Sequence, residues 1–172
     1  MNTRERARTA LDRNIKALRM RPSIGQGTAV TKVRVRDGYT CDVEEGSWKF
    51  VVDMHQKSGG ENLGPNPGIY GRAALGSCVA ICYQMWGAKF DVPMEVREVE
   101  VQADYDARSD YGVDDIPAGY AEIRLVVTIA TREPEARIID LLNDADLHSA
   151  YLVIFSAGQT VKREVRIVPP EE

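Results

Sequence analysis

The fold of this chain is decided by residues 64–82, which read GPNPGIYGRAALGSCVAIC. The proline and glycine residues at the start mark a turn, and residues 69–87 then predict a helix that is apolar on almost every side. A helix without a polar face must be covered all round. A chain of 172 residues with few other helices cannot do this alone. We therefore predict that a second copy of the chain helps to cover it, and the small residues of the helix would allow close approach.

A three-stranded antiparallel meander is predicted before this helix. Val33 and Val35 alternate with charged residues, and Asp37-Gly38 is a tight hairpin signal. Cys41 shares the inward side of the second strand, where a free cysteine usually packs as a small apolar residue. The third strand follows, with its inward set formed by Trp48, Phe50 and Val52.

Two long strands and a second amphipathic helix are predicted after the apolar helix. The first strand begins after Pro93, and its apolar alternation changes phase at Arg97-Glu98, which indicates a bulge. The second covers residues 122–130, a helix starts near Pro134, and a final strand is predicted at residues 160–167. The order βββ-α-ββ-α-β predicts an α+β fold with antiparallel sheets around the buried central helix.

The N-terminal part of the chain is basic and is predicted to be separate from the main domain. We expect a helix and linker at residues 1–28 and the main domain at 29–172. Residues 1–36 carry ten basic and two acidic side chains, although the net charge of the whole chain is −4. Interleaved aromatic residues and a nucleic-acid-binding motif are missing from this part, so we expect no nucleic-acid partner. A basic helix lying on an acidic body explains the same charges.

The composition excludes several classes of protein. The N-terminus begins with alternating charges and has no apolar signal region, which predicts the cytoplasm. The most apolar stretch contains Arg72 and Gln84, so no membrane span is expected. No cofactor motif or metal-ligand spacing is present in the sequence, and we expect neither group. An odd number of cysteines without a disulfide pattern predicts reduced thiols at Cys41, Cys78 and Cys82.

The turn at residues 64–68, followed by residues 72–80, resembles the OsmC/Ohr family of osmotically inducible and organic-hydroperoxide-resistance proteins. Gly59-Gly60 and the element order over residues 30–168 are also similar to this family. The resemblance implies an intertwined homodimer with Cys78 near the interface. It also implies reduction of organic hydroperoxides by this thiol, in defence against oxidative stress, with a second thiol regenerating it.

The chain departs from the family pattern in ways that suggest a divergent OsmC-like branch. The peroxidase members carry glutamate directly after the Asn-Pro pair, where this chain has Gly68. The stretch that matches their second cysteine, residues 146–151, contains none. The family also uses an arginine from the first hairpin to lower the pKa of the thiol, and Arg36 is its counterpart here.

These observations define the candidate catalytic residues and two functional hypotheses. Cys78 is the candidate nucleophile, Arg36 its charge partner, and Cys82 a candidate resolving thiol because it lies four residues on, on the same helix face. From the residues alone, a packing role is the better explanation for both helix cysteines, and it is the family resemblance that favours a reactive Cys78. The leading hypothesis is a thiol-dependent peroxidase for organic hydroperoxides with an external dithiol reductant. The alternative is a non-catalytic dimer that binds a small apolar ligand.

Overall fold

The computed structural model describes residues 2–169. Their helices and strands follow in the order α1 (Thr3–Met20), β1 (Lys32–Asp37), β2 (Thr40–Glu45), β3 (Trp48–Val52), α2 (Pro67–Lys89), β4 (Met94–Tyr105), β5 (Tyr120–Thr131), α3 (Glu135–Asp146) and α4 (Ala150–Ser156). Strands β1–β3 form one antiparallel sheet, and β4 and β5 form a second antiparallel pair. The predicted α+β class with antiparallel sheets is confirmed.

The core lies around α2, which packs against β4 on one side and against α3 and α4 on another. Helix α2 approaches β4 closely at Gly76, where a Cβ atom would lie 2.9 Å from Cγ2 of Val101. On α2 itself, Ile81 remains 61% and Met85 38% exposed. The described chain therefore leaves one side of its apolar helix uncovered. The buried residues of the core cluster around α2 are Leu75, Val79, Cys82, Tyr83, Trp86, Val92, Ile138, Leu141 and Ala145.

Helix α2 begins two residues earlier than the sequence pattern predicts. The side chain of Asn66 accepts a hydrogen bond from the backbone N–H of Ile69 (3.0 Å), so Asn66 is the N-cap. Pro67 occupies the first helical position, where its fixed φ suits a helix and its missing N–H costs nothing. The Asn-Pro pair is thus a helix start as well as part of the turn.

The strand predictions have a mixed outcome. The bulge is confirmed, since the pairing of β4 with β5 shifts between Val96 and Glu98. The final strand predicted at residues 160–167 is not formed, because residues 157–169 have neither helix nor strand. A strand needs a neighbouring edge for its backbone groups, and within residues 2–169 this segment pairs with neither sheet. The apolar residues 152–155, which precede this segment, lie in α4. The order is therefore α-βββ-α-ββ-α-α.

The basic helix α1 lies on the outside of α2. Arg4 and Arg8 both pair with Asp91, at 3.0 and 3.2 Å, and no residue of α1 is buried. Exposed ion pairs of this kind contribute little stability each. The boundary between residues 28 and 29 stays a prediction.

A buried carboxylate organises the loop that leads into α2. Asp53 is only 1% exposed, and three backbone N–H groups of the loop donate to it, from Met54 (2.7 Å), Glu61 (3.1 Å) and Leu63 (3.1 Å). The Thr40 side chain provides a further hydrogen bond. Burial raises the pKa of Asp53, but these hydrogen bonds outweigh that effect and hold the pKa below its usual range.

We expect Asp53→Asn to lower the melting temperature near neutral pH by about 5 °C or more, because an amide removes the charge that the loop binds. A carboxyl whose pKa is lower in the folded protein stabilises the fold above its unfolded pKa of about 3.9. This contribution is lost as the pH falls through the folded pKa. The difference in melting temperature between the variant and the natural protein should therefore shrink as the pH is lowered from neutral to acidic. Asp12→Asn, on the exposed face of α1, is the control and should change little.

Candidate thiol site

Cys78 lies in the middle of α2, and its side chain is partly exposed. Its Sγ atom is 3.6 Å from Oγ of Ser149, within hydrogen-bond reach of a sulfur atom. Ser149 is completely buried and occupies the N-cap position of α4, yet its side chain caps no backbone N–H there. The hydroxyl is therefore left to interact with the thiol.

Cys82 lies one helical turn further on, in a more enclosed place. Its thiol donates a hydrogen bond to the backbone carbonyl of Ala145 (3.4 Å), and its side chain is 6% exposed. Burial, with smaller contributions from Cys78 and Asp146, raises the pKa of the Cys82 thiol. All three cysteines are free. This environment favours a packing role for Cys82.

Contacts between α2 and the end of α3 hold this region in place. The hydroxyl of Tyr83 donates to Oδ1 of Asp146 (2.6 Å), and burial together with that carboxylate raises the pKa of Tyr83. One turn later, the ring of Trp86 packs against His148 with 4.8 Å between centroids. Asp146 and His148 lie three residues and one residue before Ser149 in the chain, so these contacts help to position its hydroxyl beside the sulfur.

Arg36, the predicted charge partner, lies on the first hairpin. Its guanidinium donates through Nε (3.1 Å) and Nη2 to the two carboxylate oxygens of Asp42. This pairing raises the pKa of Arg36. Among residues 2–169, no hydrogen bond or ion pair joins Arg36 to Cys78. Within a single chain, Cys78 and Cys82 thus lie on one helix, whereas Arg36 lies on β1 and pairs with Asp42.

A different arginine lies near the start of α2. Nη1 of Arg72 donates to the hydroxyl of Tyr120 (2.9 Å), a contact between residues 48 positions apart. A Cβ atom at Gly68 would lie 3.1 Å from that nitrogen and 3.5 Å from the Tyr120 oxygen. The guanidinium therefore occupies the space beside Gly68, where the peroxidase members have a glutamate. Sequence reasoning missed this pair, since Tyr120 carries no local signal.

A cleft of about 340 Å³ lies between α2, β5 and α4. Polar side chains (Tyr120, Glu122 and Ser156) line it together with apolar ones, and Cys78 is not among its lining residues. Leu75 lines it one turn before Cys78, and Leu152 lines it one turn after Ser149. Ile123, Leu125 and Phe155 complete its apolar wall.

Neither a metal site nor a membrane-spanning helix is found in the described part of the chain. No group of three or more His, Cys, Asp or Glu side chains could hold a metal ion there. None of its helices combines the length and apolarity that a membrane crossing requires.

Comparison with known proteins defines the class. The sequence profile of the family described as OsmC-like protein matches residues 59–164, more than half of the chain. The chain therefore belongs to the OsmC-like protein family. No curated protein matches it.

Solved structures share the fold. An OsmC-like protein from Mycoplasma pneumoniae superposes with a TM-score of 0.62 at 11% identity, over 77% of this chain and 90% of the other. An organic hydroperoxide resistance protein OsmC from Legionella pneumophila, also described as a predicted redox protein, gives 0.51 at 18% identity, over 73% and 87%. At such low identity these likenesses establish the fold alone.

Proposed function

We propose that this chain is a cytoplasmic, homodimeric thiol peroxidase that reduces organic hydroperoxides at Cys78 in defence against oxidative stress. The observation that carries the proposal is a partly exposed thiol beside a buried hydroxyl, in a chain of the OsmC-like family. The similar structure from Legionella pneumophila is named an organic hydroperoxide resistance protein, which supports the same chemistry. Three free cysteines agree with a reducing compartment.

The reaction begins with attack of the Cys78 thiolate on the terminal oxygen of the hydroperoxide. The O–O bond breaks, the sulfur becomes a sulfenic acid, and the alkoxide leaves and takes a proton to become an alcohol. An external dithiol then attacks the oxidised sulfur, which releases water and forms a mixed disulfide. The second thiol of the reductant displaces Cys78 and leaves the reductant as a disulfide.

Ser149 explains why the reductant should be external. Its hydroxyl lies 3.6 Å from the Cys78 sulfur, where it can form a hydrogen bond with the oxidised form but cannot form a disulfide. Cys82 is the other nearby thiol, but its hydrogen bond to Ala145 and its raised pKa oppose attack as a thiolate. A parallel arrangement of two side chains on one helix face would also strain a 78–82 disulfide.

The apolar part of the cleft between α2, β5 and α4 supports an organic rather than an inorganic peroxide. A substrate whose peroxide group lies at Cys78 can place its apolar body against Leu75 and Leu152, one helical turn away on either helix. Burial of apolar surface contributes roughly 25 cal/mol per Å², so a substrate with a hydrocarbon body should bind more strongly than hydrogen peroxide.

The homodimer is proposed because large apolar surfaces remain uncovered. On β1, Val33 and Val35 are 60% and 69% exposed, and Ile81 of α2 is 61% exposed. A second copy that covers these surfaces would bring a first hairpin close to a neighbouring α2. In that arrangement Arg36 of one copy would stabilise the thiolate of the other, since a nearby cation favours the charged form.

Ligand binding without chemistry is the second candidate. It is favoured by the ion pair between Arg36 and Asp42. An arginine that already pairs with a carboxylate is less available to stabilise a thiolate. Under this alternative, the cleft beside Leu75 would bind a small apolar molecule and Cys78 would be a packing residue.

The two candidates are separated by labelling the oxidised thiol. The protein is exposed to cumene hydroperoxide together with dimedone, a reagent specific for sulfenic acids, and its peptides are weighed by mass spectrometry. We expect the adduct at Cys78, with Cys41 and Cys82 unmodified, and slower labelling when hydrogen peroxide is used. Absence of an adduct at Cys78 would leave the binding candidate.

A further inference from the structure

The Cys78 sulfur and the Ser149 hydroxyl form an isolated pair, 3.6 Å apart. Ser149 is completely buried, and its side chain caps no backbone N–H of α4. A buried hydroxyl needs a hydrogen-bond partner, and among residues 2–169 the sulfur is the only one that this hydroxyl has. What happens to the sulfur after oxidation therefore depends on the chemistry of a hydroxyl.

The junction between α3 and α4 fixes Ser149 in this place. Three contacts bind the residues just before Ser149 to α2. They join Cys82 to the carbonyl of Ala145 (3.4 Å), Tyr83 to Asp146 (2.6 Å), and the ring of Trp86 to His148 (4.8 Å between centroids). We therefore expect Ser149 to remain beside the sulfur when Cys78 reacts.

An oxidised Cys78 finds no ready thiol in its own chain. A sulfenic acid is reversible when a thiol condenses with it to a disulfide, and the Ser149 hydroxyl cannot form a sulfur–sulfur bond. The Cys82 thiol is bound to a carbonyl, and burial raises its pKa. Cys41 lies on β2, in the first sheet. The sulfenic acid must wait for a thiol from outside, and meanwhile it can meet a second molecule of peroxide.

The second oxidation gives a product that thiols cannot reduce. The sulfur of the sulfenic acid attacks the terminal oxygen of another hydroperoxide, and the O–O bond breaks. The sulfur gains a second oxygen, and the alkoxide takes a proton to become an alcohol. The resulting sulfinic acid releases its remaining proton near neutral pH. A hydroxyl binds such an anionic oxygen more strongly than a neutral one, so Ser149 favours this product.

We propose that Cys78 is a site of irreversible over-oxidation, where excess organic hydroperoxide forms a sulfinic acid beside Ser149 and switches the peroxidase off. The inference rests on the proposed function, because the sulfenic acid of that reaction is its starting point. It adds the regulation of the site. Activity is lost for good when peroxide arrives faster than the external reductant can restore the thiol.

Oxidation of the natural protein with limiting and with excess cumene hydroperoxide tests the proposal. After the limiting dose, we expect a dimedone-reactive Cys78 and full recovery of activity with a dithiol. After the excess, we expect the mass of two added oxygen atoms on the Cys78 peptide and loss of activity that the dithiol does not reverse.

Ser149→Cys should protect the protein from over-oxidation. Rotation of the two side chains can bring their sulfur atoms to the bonding distance of about 2.05 Å. We expect a disulfide between positions 78 and 149 and loss of the sulfinic acid, even in excess peroxide. Ala150→Cys adds the same thiol at the next position, which is exposed. This control should over-oxidise like the natural protein, and melting curves check that each variant is folded.

Ser149→Ala tests the hydroxyl itself. The variant has no thiol that could trap the sulfenic acid, and it lacks the donor that binds the anion. We expect the sulfinic acid to form several-fold more slowly than in the natural protein, because a hydrogen bond to an ionised group is lost.

Three results separate this inference from the proposed function. A sulfenic acid at Cys78 without sulfinic acid in excess peroxide would overturn the inference and leave the proposed function standing. An unchanged rate of sulfinic acid formation in folded Ser149→Cys or folded Ser149→Ala would do the same. A Cys78 that no dose of peroxide oxidises would refute the proposed function, and the inference with it.

Discussion

Cys78→Ser is expected to abolish the dithiol-dependent consumption of cumene hydroperoxide, with a fall in rate on the order of 10³-fold or more. The reason is chemical: a serine hydroxyl is not ionised near neutral pH and cannot pass through a sulfenic acid. The substitution exchanges one small group for another at a partly exposed position, so the fold should be retained. Peroxide loss is followed in steady state with an excess of reductant.

Two cysteine controls give this experiment its specificity. Cys41→Ser removes a half-buried thiol of β2, and Cys82→Ser removes the buried thiol one turn from Cys78. Both variants should retain most of the activity, because neither thiol takes part in the proposed reaction. The Cys82 thiol instead donates a hydrogen bond to the carbonyl of Ala145. Full activity in Cys78→Ser would refute the assignment of the nucleophile. Loss of activity in Cys82→Ser, with the fold intact, would instead support a resolving role for Cys82.

The charge partner can be tested with the same assay. Arg36→Gln should slow oxidation of Cys78 without changing the melting temperature, since the ion pair with Asp42 is exposed. In the double variant Arg36→Gln/Asp42→Asn, no unpaired carboxylate remains on the hairpin. Slow oxidation in this variant as well would be due to loss of the Arg36 charge and not to the exposed charge of Asp42. Oxidation at the natural rate in both variants would exclude Arg36 from the site.

Gly60→Ala is expected to destabilise the protein by about 2–4 kcal/mol, the largest effect on stability of the single substitutions discussed. A Cβ atom at this position would lie 2.0 Å from the backbone oxygen of Met54 and 2.7 Å from Oδ1 of Asp53. Neither atom can move freely, because the Met54 oxygen accepts from Asn62 and the carboxylate is bound by the loop. The loop before α2 must therefore shift.

Thermal unfolding measures this effect, and a fall of about 10 °C is expected for a chain of this size. Gly27→Ala is the matched control, since a Cβ atom there would meet nothing within 4 Å. An unchanged melting temperature in Gly60→Ala would show that the loop does not pack against Met54 in solution.

Several elements could be predicted because their signal is local. The alternation around Val33 and Val35, the bulge near Arg97, and the apolar helix after Asn66 depend on residues close together in the chain. The resemblance of residues 64–80 to a known family also singled out Cys78, whose catalytic role stays a prediction. Periodicity and turn chemistry are properties of short segments, which is why these predictions succeeded.

The contacts between groups far apart in the chain could not be predicted and became known from the fold. In the folded chain, the Cys78 sulfur lies beside the hydroxyl of Ser149, and the guanidinium of Arg72 donates to Tyr120. Arg36 pairs with Asp42. Within the described chain, residues 157–169 pair with no strand, although the sequence at 160–167 alternates like one. Such contacts depend on how separate elements pack, and a strand pattern becomes a strand only where another edge accepts its backbone hydrogen bonds.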